Sequence, residues 1–412
     1  MKLNIFPTTI KTDFTTHKIA FHPYFINLYK DSQTDIAFVE EYDENQNSTI
    51  YDEFIKKFKH ECLKNGVSEE NFNLHLKSID IESSKKMKYG TPVFVPILPL
   101  YCGPNDWIIE IEDGWNLFYP HAGHAENSDY DLTSSNWVIK ILKVLFEMDN
   151  CKQILTHMKD SINFIEKVFG EKVLGKTSFL QQSVDIPDNE LKLYPKKDNF
   201  TTFLFHGGSV HTPEHFFLRG GLETLNAFIN AYKINKNIHL KVVYDTRSLN
   251  NNITSFMKNH PGITYYEEWQ SDEQMKHHRQ ESDVFLIPAF RIHCMSTLMS
   301  LARGNPVICS DGWGFDEYVY NNYTGLIAKG QKCSWKDDNG LFRESYTLGR
   351  GILQYDLMKN VENSILKIST NLNLYNNLRM NCVNEYCKNY TNDTRNQVLS
   401  RILNNLNFKL TI

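Results

Sequence analysis

Residues 283–311 read DVFLIPAFRIHCMSTLMSLARGNPVICSD. DVFLIPA (283–289) is an unbroken apolar run, the pattern of a strand buried on both faces. MSTLMSLARG (295–304) spaces its apolar residues as a helix does and stops at Gly304. NPVICSD (305–311) is a second apolar strand. Strand, loop, helix and strand in that order specify a parallel βαβ unit.

The same alternation extends outward on both sides. TTFLFHGG (201–208) is a strand ending in paired glycines, and LETLNAFINAYKIN (222–235) repeats apolar residues at Leu222, Leu225, Ala227 or Phe228, and Tyr232, a helical spacing. LKVVYD (240–245) and GITYYEEW (262–269) read as strands. SDEQMKHHRQES (271–282) opens on a Ser/Asp cap before a polar helix, and TGLIAKG (324–330) adds a short last strand. The pattern predicts an α/β, doubly wound parallel sheet whose ligands sit beyond the carboxyl ends of its strands.

The first half carries a fainter version of this pattern. KLNIF (2–6), KIAFHPYF (18–25), PVFVPILPL (92–100), DWIIEIED (106–113), QILTH (153–157) and KVLGKTSFLQQSVDI (172–186) read as strands. NWVIKILKVLFEMD (136–149) and KDSINFIEKVFG (159–170) are amphipathic helices, and 40–90 is a polar insertion or helical excursion. PDNELKLYPKKDN (187–199) is polar with two prolines and reads as a linker. The expected division is 1–190, 196–385 and a helical segment at 386–412.

A chain of 412 residues exceeds one ordinary domain, and 41% hydrophobic residues are enough for buried cores. The 44 Lys and Arg against 49 Asp and Glu give a formal charge of −5, which offers no general field for nucleic acid. The eight cysteines, at 62, 102, 151, 294, 309, 333, 382 and 387, include no C-x-x-C and read as ordinary thiols. MKLNIFPTTIKTDF lacks the apolar core of a secretion signal, and no stretch reaches the ~18 apolar residues of a membrane span. These readings place the protein in the cytoplasm.

Several residues in the second half carry anion-binding chemistry. Gly207 and Gly208 permit close backbone approach to a ligand. Arg219 precedes the helix LETLNAF and is placed to pair with a phosphate. The helix beginning near Met295 and Ser296 aims free N–H groups at the same crevice, and the Ser296 and Thr297 hydroxyls add donors.

Three segments resemble the retaining nucleotide-sugar glycosyltransferases of family 4. They are FHGGSVHTPEHFFLRGGLETLNAF, YYEEWQSDEQMKHHRQESDVFLIPA and LARGNPVICSDGWGFDEYVYNNYTGLIAKG, spanning roughly 203–330. The resemblance implies the GT-B fold: two Rossmann-like doubly wound domains facing a cleft, with C-terminal helices free to cross back. It implies an acceptor-side first domain and a donor-binding second one. The implied reaction moves a sugar from a nucleoside-diphosphate sugar to a glycan, lipid or protein acceptor, with retention.

Position by position, Gly208 and Ser209 match the family's Gly-Arg pair, so a serine replaces the usual arginine. Arg219 matches its phosphate-binding lysine. Trp269, with Glu268 and Gln270, falls in the base-holding loop, and Arg291 to Met295 match the loop around the donor sugar. Glu317 matches the acid of the glycine-rich turn. The family's two glutamates, eight positions apart, correspond here to Arg291 and Met299, so both carboxylates are absent. Arg291 and His293 are expected to replace the missing acid. This substitution supports one alternative, a catalytically inactive partner subunit that binds a sugar nucleotide or glycan; a sugar-nucleotide epimerase or phosphorylase sharing the architecture is the other.

On the acceptor side, Glu112, Asp113, His121 and His124 follow a strand and are candidates to orient an acceptor hydroxyl. Asp129-Tyr130-Asp131 has the form of a metal-binding D-x-D but precedes a helix cap, so no metal and no cofactor beyond the donor is expected. His277-His278 reads as a solvated face. The basic runs at 56–59 and 85–88 allow at most peripheral membrane contact.

Overall fold

Val93, Phe94 and Val95 are fully buried, and so is every residue from Trp107 to Ile111. Strands buried along their whole length belong at the centre of a sheet covered on both faces. The computed structural model describes residues 2–6, 9–11, 16–18, 37–42, 48–96, 100–118, 121, 130–207, 213–244, 249–268, 270–344 and 351–406. Its contacts divide the chain into two units, Met1–Gln181 with Asn392–Ile412, and Gln182–Thr391.

The first unit holds β1 (Lys2–Ile5), β2 (Thr9–Lys11), β3 (Thr16–Lys18), β4 (Ala37–Val39), β5 (Val93–Pro96), β6 (Trp107–Ile111), β7 (Cys151–Thr156) and β8 (Thr177–Phe179). Six of them form a parallel sheet in the order β4-β1-β5-β6-β7-β8, while β2 and β3 pair antiparallel by themselves. The expected strand at 18–25 lies almost wholly outside the described residues. The polar stretch 40–90 contains three helices, Ser48–Lys64, Glu69–Ser78 and Ile81–Lys86. Ser68 and Asp80 cap the second and third with their side chains.

The second unit holds β9 (Thr201–His206), β10 (Ile238–Val243), β11 (Ile263–Tyr266), β12 (Val284–Ile287), β13 (Val307–Ser310), β14 (Gly325–Ala328), β15 (Ser334–Lys336) and β16 (Phe342–Glu344). The first six make a parallel sheet in the order β11-β10-β9-β12-β13-β14. Strand order therefore reverses between β9 and β12, which opens a crevice beyond their carboxyl ends. The helices Gly221–Ile234 and Tyr355–Ser369 cover one face, with Leu225, Phe228, Val361 and Ile365 in a core shared with Leu240, Val242 and Leu286.

The segment 187–199 is not a free linker. Lys192 Nζ donates to the Ser282 carbonyl and to Asn305 Oδ1 (2.6 Å), and Glu190 pairs with Arg303 and with Lys276 at 2.6 Å. Its polarity serves these bonds, so the division falls at 181/182. The expected 386–412 segment is also split. Tyr386–Tyr390 continues the helix Leu372–Glu385 as a π-helical turn in the second unit, whereas the helix Asn392–Asn404 belongs to the first. There Leu399 and Leu403 pack with Leu3, Phe94, Ile108, Leu155 and Leu180. All eight cysteines are free. Among the described residues no helix is long and apolar enough to cross a membrane.

Candidate functional site

The crevice between β9 and β12 is built by short connections. The Phe290 amide donates to the Leu218 carbonyl at 2.9 Å, tying the loop after β12 to the end of the helix Pro213–Leu218. Trp313 fixes the other side of that loop: its amide donates to Phe290 O (3.0 Å), and its carbonyl accepts from the Ile292 amide (2.8 Å). Arg291 and Trp313 thus form a parallel bridge just before the next helix.

That helix, Cys294–Ala302, begins at His293 without a side-chain cap bond. An uncapped first turn presents backbone N–H groups and the positive end of the helix dipole. Met295 and Ser296 are half-buried in this turn. Thr297 is fully buried, and its hydroxyl has no hydrogen-bond partner.

Arg219 is 6% exposed, and its Nε has no hydrogen-bond partner. Among the described residues no carboxylate lies in ion-pair range of it. Burial pushes its guanidinium down to about 10, with Tyr244 opposing and Arg291 adding to the shift, so it stays charged at neutral pH. His293 Nε2 is likewise buried and unpartnered. Burial holds this imidazole well below its usual range, and Arg219, Arg291, His206 and His215 push it the same way. Two guanidiniums and three imidazoles therefore converge on one crevice beside an uncapped helix start. Such a set can neutralise and hydrogen-bond a multiply charged anion.

Gly207 has a different reason for being glycine from the one its sequence suggests. A Cβ there would stand 2.1 Å from the Tyr244 ring, so the glycine makes room for a side chain. Gly208, Ser209 and Trp269 lie outside the described residues. Glu317 is half-buried on the short helix Phe315–Tyr318, at the other side of the glycine-rich turn. Met299 is 3% exposed within the helix Cys294–Ala302 and belongs to the core.

On the first unit the four acceptor-side candidates separate. Asp113 is buried and accepts the Trp115 amide at 2.8 Å, capping the turn Gly114–Phe118, whereas Glu112 next to it is exposed. His121 Nε2 is 3.0 Å from His75 Nδ1, and its Nδ1 is 3.3 Å from Ser78 Oγ, so both ring nitrogens are engaged by the helix Glu69–Ser78. His124 lies outside the described residues, as does Asp129, while Asp131 accepts the Thr133 amide. His277 pairs with Glu281 at 2.9 Å, and His278 packs on Tyr266. In the basic runs, Lys59 pairs with Glu69 and Lys85 with Glu82.

Sequence reasoning missed His206 and Tyr244. His206 ends β9 and is 3% exposed. Its signal was a polar residue closing the apolar run Phe203–Phe205, directly before Gly207.

No family model matches the chain, and no curated protein does. Solved structures do resemble it. WaaG, a glycosyltransferase involved in lipopolysaccharide biosynthesis, matches with a TM-score of 0.53 at 11% identity, over 98% of this chain and 99% of that one. The fold is GT-B. A glycosyltransferase from Rickettsia africae matches with a TM-score of 0.50 at 12% identity, over 90% and 86% of the two chains. Sucrose-phosphate synthase from Thermosynechococcus elongatus matches with a TM-score of 0.50 at 15% identity, over 85% and 78%. At these identities the GT-B likeness concerns architecture, and chemistry has to be argued from the crevice itself.

Proposed function

We propose that the protein is a retaining, metal-independent glycosyltransferase. It moves a hexosyl group from a nucleoside-diphosphate sugar to a glycan, lipid or protein acceptor. The observation that carries this reading is Arg219, a buried cation without an acid partner among the described residues, at the strand-order reversal beside an uncapped helix. A buried charge of this kind is costly unless something anionic completes it.

As the glycosidic bond breaks, negative charge grows on the leaving diphosphate. Arg219, Arg291 and the amides at Met295 and Ser296 stabilise that charge, which is commonly the largest catalytic contribution. His293 supplies a hydrogen bond beside the transferred sugar. Gly208, Ser209 and Trp269 complete the donor pocket in this reading, and Glu317 flanks it. Glu112 is the acceptor-side carboxylate with freedom to meet a hydroxyl, because Asp113 and His121 are occupied by local bonds.

Thermal shift with UDP-, GDP- and ADP-sugars tests the reading, since a ligand bound only by the folded state raises apparent stability. Arg219→Ala should then weaken the stabilising donor by about 1.5–3 kcal/mol, the loss of a charge-assisted bond. Unchanged affinity by calorimetry would remove Arg219 from the site. The buried Met299, in place of a ribose-binding carboxylate, favours one other reading, a subunit that binds the donor without transfer. Slow donor hydrolysis by the purified protein would decide for the enzyme.

A further inference from the structure

His206 is a buried titratable group that the transfer chemistry leaves unused. It is the last residue of β9, at the strand-order reversal, and its Nε2 is buried with no hydrogen-bond partner. Its ring lies nearly parallel to Phe285 of β12, with centroids 4.9 Å apart and planes at 23°, so the imidazole is fixed in orientation. The charged and titratable groups that face it are Arg279 and His278 from the helix Asp272–Glu281 and Arg219 from the turn before Gly221–Ile234. None of them is a carboxylate. The second imidazole at the crevice, His293, faces Arg219, Arg291, His206 and His215.

We propose that binding of a diphosphate in this crevice takes up one proton from solvent, and that His206 receives it. The inference rests on the crevice being a diphosphate site, as argued above, and adds how its charge is balanced. With no anion bound, an imidazolium at 206 would sit in a buried place beside guanidiniums, so the ring stays neutral. Burial first, and then Arg279, Arg219 and His278, hold it well below the usual histidine range. A bound diphosphate brings charge of opposite sign, which outweighs the two arginines. The imidazolium carries an N–H at both ring nitrogens, so the unpartnered Nε2 becomes a donor for a charge-assisted bond. One proton moves from buffer to imidazole: the buffer acid's bond to hydrogen breaks and an N–H bond forms on the ring. By linkage, affinity rises as pH falls and the leaving diphosphate is held more tightly than the guanidiniums alone would hold it.

Calorimetric titration with whichever of UDP-glucose, GDP-mannose or ADP-glucose binds tests this on the full chain. The diphosphate of a sugar nucleotide does not itself titrate near neutral pH, so protons taken up are the protein's. Measured at pH 7.5 in buffers of different ionisation enthalpy, the slope of binding enthalpy should give uptake approaching about one proton, with affinity falling by up to roughly tenfold per pH unit above neutrality. His206→Gln should abolish the slope and flatten the pH profile while binding persists, and His293→Gln should keep most of the slope. Donor binding by the wild-type protein with no proton uptake overturns the inference and leaves the diphosphate site standing. Loss of the slope only in the His293 variant overturns the assignment to His206. No binding of any of the three donors at any pH overturns both. The wild-type buffer series needs no variant to fold.

Discussion

Gly220 has φ of +74°, and a methyl group there would stand 2.3 Å from the Pro288 carbonyl oxygen. Both facts exclude a side chain, the first by backbone strain and the second by collision with the end of β12. The consequence falls on Arg219, whose amide donates to the His215 carbonyl just before this turn. Gly220→Ala should cost about 1–3 kcal/mol of stability in urea unfolding, and should weaken donor binding as Arg219 is displaced. Wild-type stability in that variant would show that the approach to Pro288 is loose. The sequence placed Arg219 just before the helix LETLNAF, but not the Pro288 carbonyl that requires a glycine after it. Gly207 makes the same point: its sequence suggests room for a ligand, and the space is taken by Tyr244. A sequence states that a Cβ is missing; only the fold states what stands in its place.

At the level of elements, the strand DWIIEIED placed a charged residue in the middle of β6. Glu110 is fully buried there. Its carboxylate meets Arg395 Nη2 through both oxygens, at 2.5 and 2.6 Å, and His157 Nε2 at 2.6 Å. Burial raises the carboxyl, but the Arg395 charge and the His157 bond outweigh it and hold Glu110 down to about 2. A carboxyl depressed in the folded state contributes stability above its unfolded value of 4.5, and that contribution is lost as pH falls toward about 2. Acid unfolding of the wild type should therefore steepen between those values. Arg395→Met should cost about 3–5 kcal/mol at neutral pH by removing the guanidinium that meets both oxygens of a buried carboxylate, and adding Glu110→Gln should recover part of it. Equal costs for the single and double variants would exclude coupling between the helix Asn392–Asn404 and β6. None of this was readable locally, because the partners are 285 positions apart. The strands of the second unit were readable to within a few residues, since a strand buried on both faces is a plain apolar run. The hairpin of β15 and β16 carries no such run and went unread.

Over the whole molecule, the chain leaves the first unit at Gln181 and returns to it at Asn392. Within the second unit the segments next to these crossings are bonded to each other. The Val184 amide donates to the Tyr390 carbonyl at 3.0 Å, and the Ile186 amide to the Tyr386 hydroxyl at 3.1 Å. The two units are consequently unequal as folding problems. Residues 182–391 contain their whole sheet and core, whereas 1–181 lack the helix that supplies Leu399, Leu403 and Arg395. A fragment of 182–391 should melt cooperatively and still be stabilised by the donor that stabilises the full chain, because Arg219 and the helix Cys294–Ala302 lie inside it. A fragment of 1–181 should lack a cooperative melt by circular dichroism, with the buried Glu110 deprived of Arg395, and a peptide of 392–406 added in trans should restore part of it. Cooperative folding of 1–181 alone would mean that the returning helix only decorates a finished sheet. The triad and the leucine cluster argue that it completes one.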